Sequence, residues 1–243
     1  MTSTGTTAFN PAASDLVLNA FSKCGLSSAV LTAEHLQRAY IESNLLNIEF
    51  SNRGVNLWKS ETIQVPPAAT LTPGTQTYVM PATTIAVIIV YIETLSGQNT
   101  TDRILGPLST YEYQAMPNKL KQGPPTSFWF DRQITPSLTF WPVPDAGGPY
   151  TALCRVLQHI QGTSLAGGAT LDLPWRFLAA YEAGLAFKLA MHFAPQRAGQ
   201  RSRRGLPATG LACEYEVAWE DATTRGAETV NITIMPNIGR YYR

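Results

Sequence analysis

The chain has 243 residues, 44% of them hydrophobic, and a formal net charge of +1. That is enough apolar weight for a folded core, and too little net charge to argue for nucleic acid or membrane partners on bulk electrostatics. Charged residues make up only 14%, against about 25% in an average soluble protein, so extensive contact with other chains is expected in place of a highly solvated surface.

From the N-terminus, residues 1–14 (MTSTGTTAFNPAAS) read as a loose arm, with neither the basic start nor the apolar run of a signal peptide. Ser14 or Asp15 is placed to cap a short helix, DLVLNAFSKCG, stopped by Gly25. Thr32 caps a second helix, TAEHLQRAYIESNLLNIEFSNRG. Leu36, Tyr40, Ser43, Asn47 and Phe50 share one face of it, and Ile41, Leu45 and Ile48 widen the apolar stripe. At Asn56 the pattern turns to β, with prolines and glycines between β-branched and aromatic runs. ETIQV and GTQTYVM are short strands, and TTIAVIIVYIETL reads as a strand buried on both faces. Its apolar stretch IAVIIVYI (85–92) is too short to span a bilayer. SFWFDRQ and SLTFWPV flank ITP as a hairpin, stopped by Pro142 and Pro144. PYTALCRVLQHIQG is the last strand. Between the long strand and the hairpin, 102–125 reads as a loop with one short helix, STYEYQAM, capped by Ser109 or Thr110 with Glu112 close behind.

Helix returns at Leu173, with Asp172 as N-cap and Pro174 in the first turn. Trp175, Leu178, Leu185, Leu189 and Phe193 are its large apolar positions. Ala179, Ala180, Ala183, Gly184, Ala186 and Ala190 make a small-residue surface that lets another helix approach closely. A basic turn (196–205) and a last helix, GLACEYEVAWEDATTRGAE, follow. The order predicts an α+β fold. A discontinuous α-helical bundle (1–55 and 166–230) holds an inserted, mostly antiparallel β domain (56–165), and 231–243 forms an extended C-terminal arm.

Residues that carry chemistry are scarce. His35, His159 and His192 stand in no metal-ligand spacing, and GTSLAG departs from a nucleophile elbow at Ala166. Cys24, Cys154 and Cys213 are odd in number and form no CxxC pattern, against a disulfide framework or a zinc site. Asp102, Glu112 and Asp131 are acids from which a hydrolase pair could be assembled in space, with solvated surface acids the simpler reading. Phe128, Trp129, Phe130, Phe140 and Trp141 alternate on the hairpin, so both faces carry apolar weight. Either they pack, one face against their own domain and the other against a neighbour, or they stack a sugar or a base. Arg197, Arg201, Arg203 and Arg204 form a solvated turn, or a contact for phosphate or an acidic partner. The closing NITIMPNIGRYYR is apolar where a terminus is usually polar. It is a docking arm or a self-packed end.

Taken together, NLWKSETIQVP, GTQTYVMPATTIAVIIVYIE, DRILGPLSTYEYQAMPNKLKQGPPTSFWFDRQ, LTFWPVPD, LDLPWRFLAAYEAGLAFKLAMHFAP and the tail come in an order that resembles the head-to-tail adaptors of short-tailed phages. The resemblance, to the tail accessory or tail tubular type, runs over roughly residues 12–243. It implies a structural virion protein of the phage neck, assembled in the host cytoplasm, with no catalytic signature, cofactor or metal. It also implies a twelve-fold homo-oligomeric ring beneath the portal, with DNA passing through the channel without sequence-specific contacts and no membrane partner. The arm Asn231–Arg243 would dock on the portal through Ile232, Ile234, Met235, Ile238, Tyr241 and Tyr242, with Arg240 and Arg243 pairing with portal acids. Arg197, Arg201, Arg203 and Arg204 would lie near the portal or the DNA path. The loop 111–125, with Tyr111, Tyr113, Asn118, Lys119 and Lys121, would face the tail nozzle. One segment departs from the pattern: 194–217 is longer and more basic than a compact turn, which leaves the start of the last helix open. A virion-associated cell-wall hydrolase and a carbohydrate-binding module are the alternative readings.

Overall fold

The computed structural model describes residues 9–54, 57–96, 99–165, 168–202 and 207–224. In chain order the elements are α1 (Ala13–Cys24), α2 (Ala33–Asn52), β1 (Ser60–Val65), β2 (Thr77–Val79), β3 (Thr84–Ser96), β4 (Asn99–Ile104), β5 (Gly106–Leu108) and α3 (Thr110–Gln114). They continue with β6 (Ser127–Asp131), β7 (Ser137–Trp141), β8 (Thr151–Gln158), α4 (Leu178–Phe193), α5 (Pro195–Ala198) and α6 (Gly210–Thr224). The chain divides into two compact units, one of Met1–Glu42, Ala166–Gly168 and Leu173–Arg243, the other of Ser43–Leu165 and Ala169–Asp172.

In the helical unit α4 is the central element, with α1 and α6 packed on it. Its Ala180, Ala183, Gly184, Ala186 and Ala190 are buried, the small-residue surface expected from the sequence, while Tyr181, Leu185 and Leu189 supply bulk. Each fully buried large side chain of this kind contributes about 1.5–3 kcal/mol. Ala12 occupies the N-cap of α1 and makes no side-chain cap bond, so neither Ser14 nor Asp15 caps it as expected; Asp15 lies in the first turn. The C-terminal signal is as expected. Gly25 takes φ +86°, and its N–H and that of Leu26 close on Ser22 O and Phe21 O, a left-handed cap that glycine adopts without a Cβ penalty.

The boundary between units falls inside α2 and not near residue 55, because the second half of that helix is tied to the β part. Asn47 Nδ2 donates to Gln161 O (3.1 Å) and Thr163 Oγ1 (2.9 Å). Asn44 Oδ1 accepts from Thr163 N (2.9 Å) and Ser51 Oγ from Ile160 N (3.3 Å).

The β unit holds two four-stranded sheets, ordered β1-β8-β3-β4 and β2-β7-β6-β5. All pairings are antiparallel except β5 with β6. Val90, Ile92, Cys154 and Val156 from the first sheet share one core with Tyr78, Phe128, Leu138 and Phe140 from the second. The expected strands all form, and the β6–β7 hairpin ends at Trp141, ahead of Pro142. Two differences stand out. Part of the segment read as a loop is β4 and β5, and β3 is not buried on both faces, since Ile88 is 55% exposed. α3 keeps its expected cap: Ser109 Oγ accepts from Glu112 N (3.2 Å) and Glu112 Oε2 from Ser109 N (2.8 Å). Those bonds hold the Glu112 carboxyl below its usual range.

The expected cap of the third long helix is used elsewhere. Asp172 pairs with Lys59 Nζ (2.8 Å) and accepts from Gln161 N, while its carbonyl accepts from Trp58 Nε1. Pro174 instead precedes a 3-10 turn, Trp175–Phe177, that runs into α4.

Candidate assembly surfaces

The hairpin aromatics separate into two populations. Phe128 and Phe140 are core residues. On the opposite face Trp129 stacks on Tyr113 (centroids 4.6 Å apart, planes at 10°) and donates from Nε1 to Thr110 Oγ1. Trp141 Nε1 donates to Asn118 O (3.1 Å). The chain's own segment 109–121 therefore covers this face, where the alternation alone suggested a neighbour or a stacked ligand. Tyr113 is 8% exposed and its hydroxyl accepts from Gln76 Nε2 (2.7 Å), so its ring belongs to the packing and not to the outer surface. Lys119 Nζ donates to Gln114 O and sits 5.8 Å from the Tyr113 ring, and Asn118 Oδ1 accepts from Leu120 N. Of the predicted loop residues, Tyr111 (82% exposed), Asn118 and Lys121 are exposed, and Leu120 (75%) is exposed beside them.

The basic run is only partly described. Arg197 Nη1 donates to Lys23 O (3.3 Å), and its guanidinium lies against Gly25. Arg201 lies over the rings of Phe187 (5.2 Å) and Tyr215 (5.4 Å). Both arginines thus tie down the helical unit while remaining exposed. Arg203, Arg204 and the whole arm 231–243 lie outside the described residues.

Two further surfaces were not singled out in the sequence. Ala39, Ser43, Leu46, Asn47 and Phe50 make the buried face of α2. Ile41, Leu45 and Ile48 do not widen it; they form an exposed ridge on the opposite side of the helix, and Leu36 and Tyr40 are exposed as well. A helix apolar on two opposite sides has a nearly flat amphipathic signal, yet placing these residues at 3.6 per turn separates the faces. The second surface is a groove of about 430 Å³ where the start of α4 meets α6. Trp175, Ala179, Val217 and Ala218 give it an apolar floor; Arg176, Glu214 and Asp221 provide charge. Trp175, read from sequence as one of the helix's large apolar positions, is 70% exposed here, and Val217 is 54% exposed. In the β unit, β1 is an outer strand, and a groove of about 340 Å³ beside it is lined by Ile63, Val65, Val79 and Pro81.

The residues that could carry catalysis are dispersed or engaged. His35 packs against the rings of Phe21 and Phe193, and His192 Nε2 lies 3.0 Å from Glu42 Oε1. Glu112 is held in the α3 cap and Asp131 accepts from Gln133 Nε2. Among the described residues no group of three or more His, Cys, Asp or Glu is placed to hold a metal ion, and no helix is long and apolar enough to cross a membrane. All three cysteines are free thiols.

What the fold and surfaces define is a mixed α+β protein whose exposed apolar features suit contact with other chains. The family model described as SU10 adaptor protein matches residues 33–216, from the start of α2 into α6. The chain belongs to this family of phage head-to-tail adaptors. It is accordingly a structural component of the phage virion that acts in tail assembly with portal and tail components. No match was found among curated proteins.

Proposed function

We propose that copies of the chain close into a twelve-fold ring beneath the portal, extend the DNA channel, and present the platform on which the tail nozzle assembles. The observation that carries this reading is the exposed apolar surface of a charge-poor chain in an adaptor family: Ile41, Leu45 and Ile48 on α2, Trp175 and Val217 at the groove, Tyr111 and Leu120 on the loop. Large apolar side chains left exposed in groups such as these mark protein–protein contact. The arm 231–243 docks on the portal through Ile232, Ile234, Met235, Ile238, Tyr241 and Tyr242, with Arg240 and Arg243 meeting portal acids. Each arm alone loses free energy on ordering, so binding depends on many ring copies acting together. Tyr111, Asn118 and Lys121, with Leu120 beside them, face the nozzle. Arg203 and Arg204, with the exposed parts of Arg197 and Arg201, meet the portal or line the DNA path without reading its sequence.

An order-of-addition experiment tests this position. Nozzle protein added to purified portal rings should bind only once this chain is present. Nozzle that joins bare portal rings equally well would contradict the reading.

A further inference from the structure

The α2 ridge and the α4–α6 groove are both exposed in the single chain, and they differ in shape. One is a convex helical stripe with Ile41 41%, Leu45 47% and Ile48 48% exposed. The other is concave, with small residues, Ala179 and Ala218, in its floor. An apolar helical face laid in such a groove, anchored at i, i+4 and i+7, is a recurring recognition mode. Their charges are complementary as well. The ridge carries exposed Glu34 and Arg38, two turns and one turn before Ile41. The groove carries Arg176, whose buried Nε has no acceptor among the described residues, and the carboxylates of Glu214 and Asp221. Glu214 pairs with Lys23 at 3.7 Å, a lysine that also pairs with Glu182, and Asp221 is exposed.

We infer that the α2 ridge of one copy seats in the α4–α6 groove of the next copy, and that this is the seam of the ring. Ile41 and Leu45 lie over Val217 and Ala218, Arg38 pairs with Asp221, and Glu34 faces Arg176. The contact joins two different patches, so it is heterologous: each copy offers its ridge to one neighbour and its groove to another, and repetition runs past a dimer and closes as a ring when the rotation between copies does. This seam rests on the ring reading above.

Three variants test it in the full-length chain. In a Cys213→Ser background, Ile41→Cys with Val217→Cys should give, on mild oxidation of assembled rings, a covalent ladder extending beyond dimer. Neither single cysteine should do so. Leu45→Glu should leave a folded chain with an unchanged melting temperature that no longer assembles. Arg38→Glu and Asp221→Arg should each weaken assembly roughly tenfold, and the double variant should recover it. Rings of normal mass that give no ladder would overturn the seam and leave the ring intact, as would cross-linking of Ile41→Cys to a portal subunit. A chain that forms no ring with or without portal would overturn the ring reading and the seam with it.

Discussion

Tyr113 and Trp129 stack face to face, centroids 4.6 Å apart, and through that contact the segment after β5 is laid over the outer face of the β6–β7 hairpin. Tyr113→Ala removes both the stack and the bond from Gln76, and should cost about 3 kcal/mol in chemical denaturation. Tyr113→Phe keeps the ring and should cost about 1 kcal/mol. Equal losses in the two variants would mean that the hydroxyl, not the stack, holds the segment.

The turn between α5 and α6 depends on a close backbone approach. Gly199 has φ +72°, and a Cβ there would overlap the Thr209 carbonyl. Gly199→Ala combines a disfavoured left-handed conformation with a backbone clash and should cost about 3 kcal/mol or more. A melting temperature within a degree or so of the parent would show that the turn can rearrange freely.

Thiol chemistry reports on both units. Burial pushes the Cys154 thiol from an ordinary 9.0 to about 12. Cys24 rises to about 11, again by burial, partly offset by the positive charge of Arg197. The unfolded chain releases these protons first, so the stability that the neutral thiols contribute is complete below about pH 9 and is lost as pH climbs through the folded values. The denaturation midpoint should fall between about pH 8 and pH 10, and fall less in Cys154→Ala. In the native protein Cys213, half-exposed on α6, should react with a thiol reagent well before the other two.

The arm makes a separate prediction. Deleting 231–243 should leave a chain with an unchanged melting temperature that no longer joins portal rings. A truncated chain that binds portal unchanged would rule out the docking arm; one that fails to fold would favour a self-packed terminus.

The elements with strong local signals were legible in the sequence: the Gly25 stop, the Ser109–Glu112 cap, the long apolar β3, and the small-residue surface of α4. What was not legible depends on partners distant in the chain. β5 is a three-residue strand containing Gly106 and Pro107, and it exists because β6 pairs with it in parallel. Asp172 has every local mark of an N-cap, yet Lys59, more than a hundred residues earlier, draws it away. The hairpin tryptophans showed that both faces needed cover, and the alternation could not reveal that Tyr113 and Asn118 of the same chain supply it. The α2 ridge was visible as apolar residues, but only the buried set Leu46, Asn47 and Phe50 fixes which side of the helix faces inward.

The measurement that bears most directly on the adaptor reading is the mass of the purified chain by light scattering, alone and then mixed with portal rings from the same phage. The account predicts a defined complex in which about twelve 26.5 kDa chains add to each portal ring. A chain that keeps its own mass in the presence of portal would contradict it.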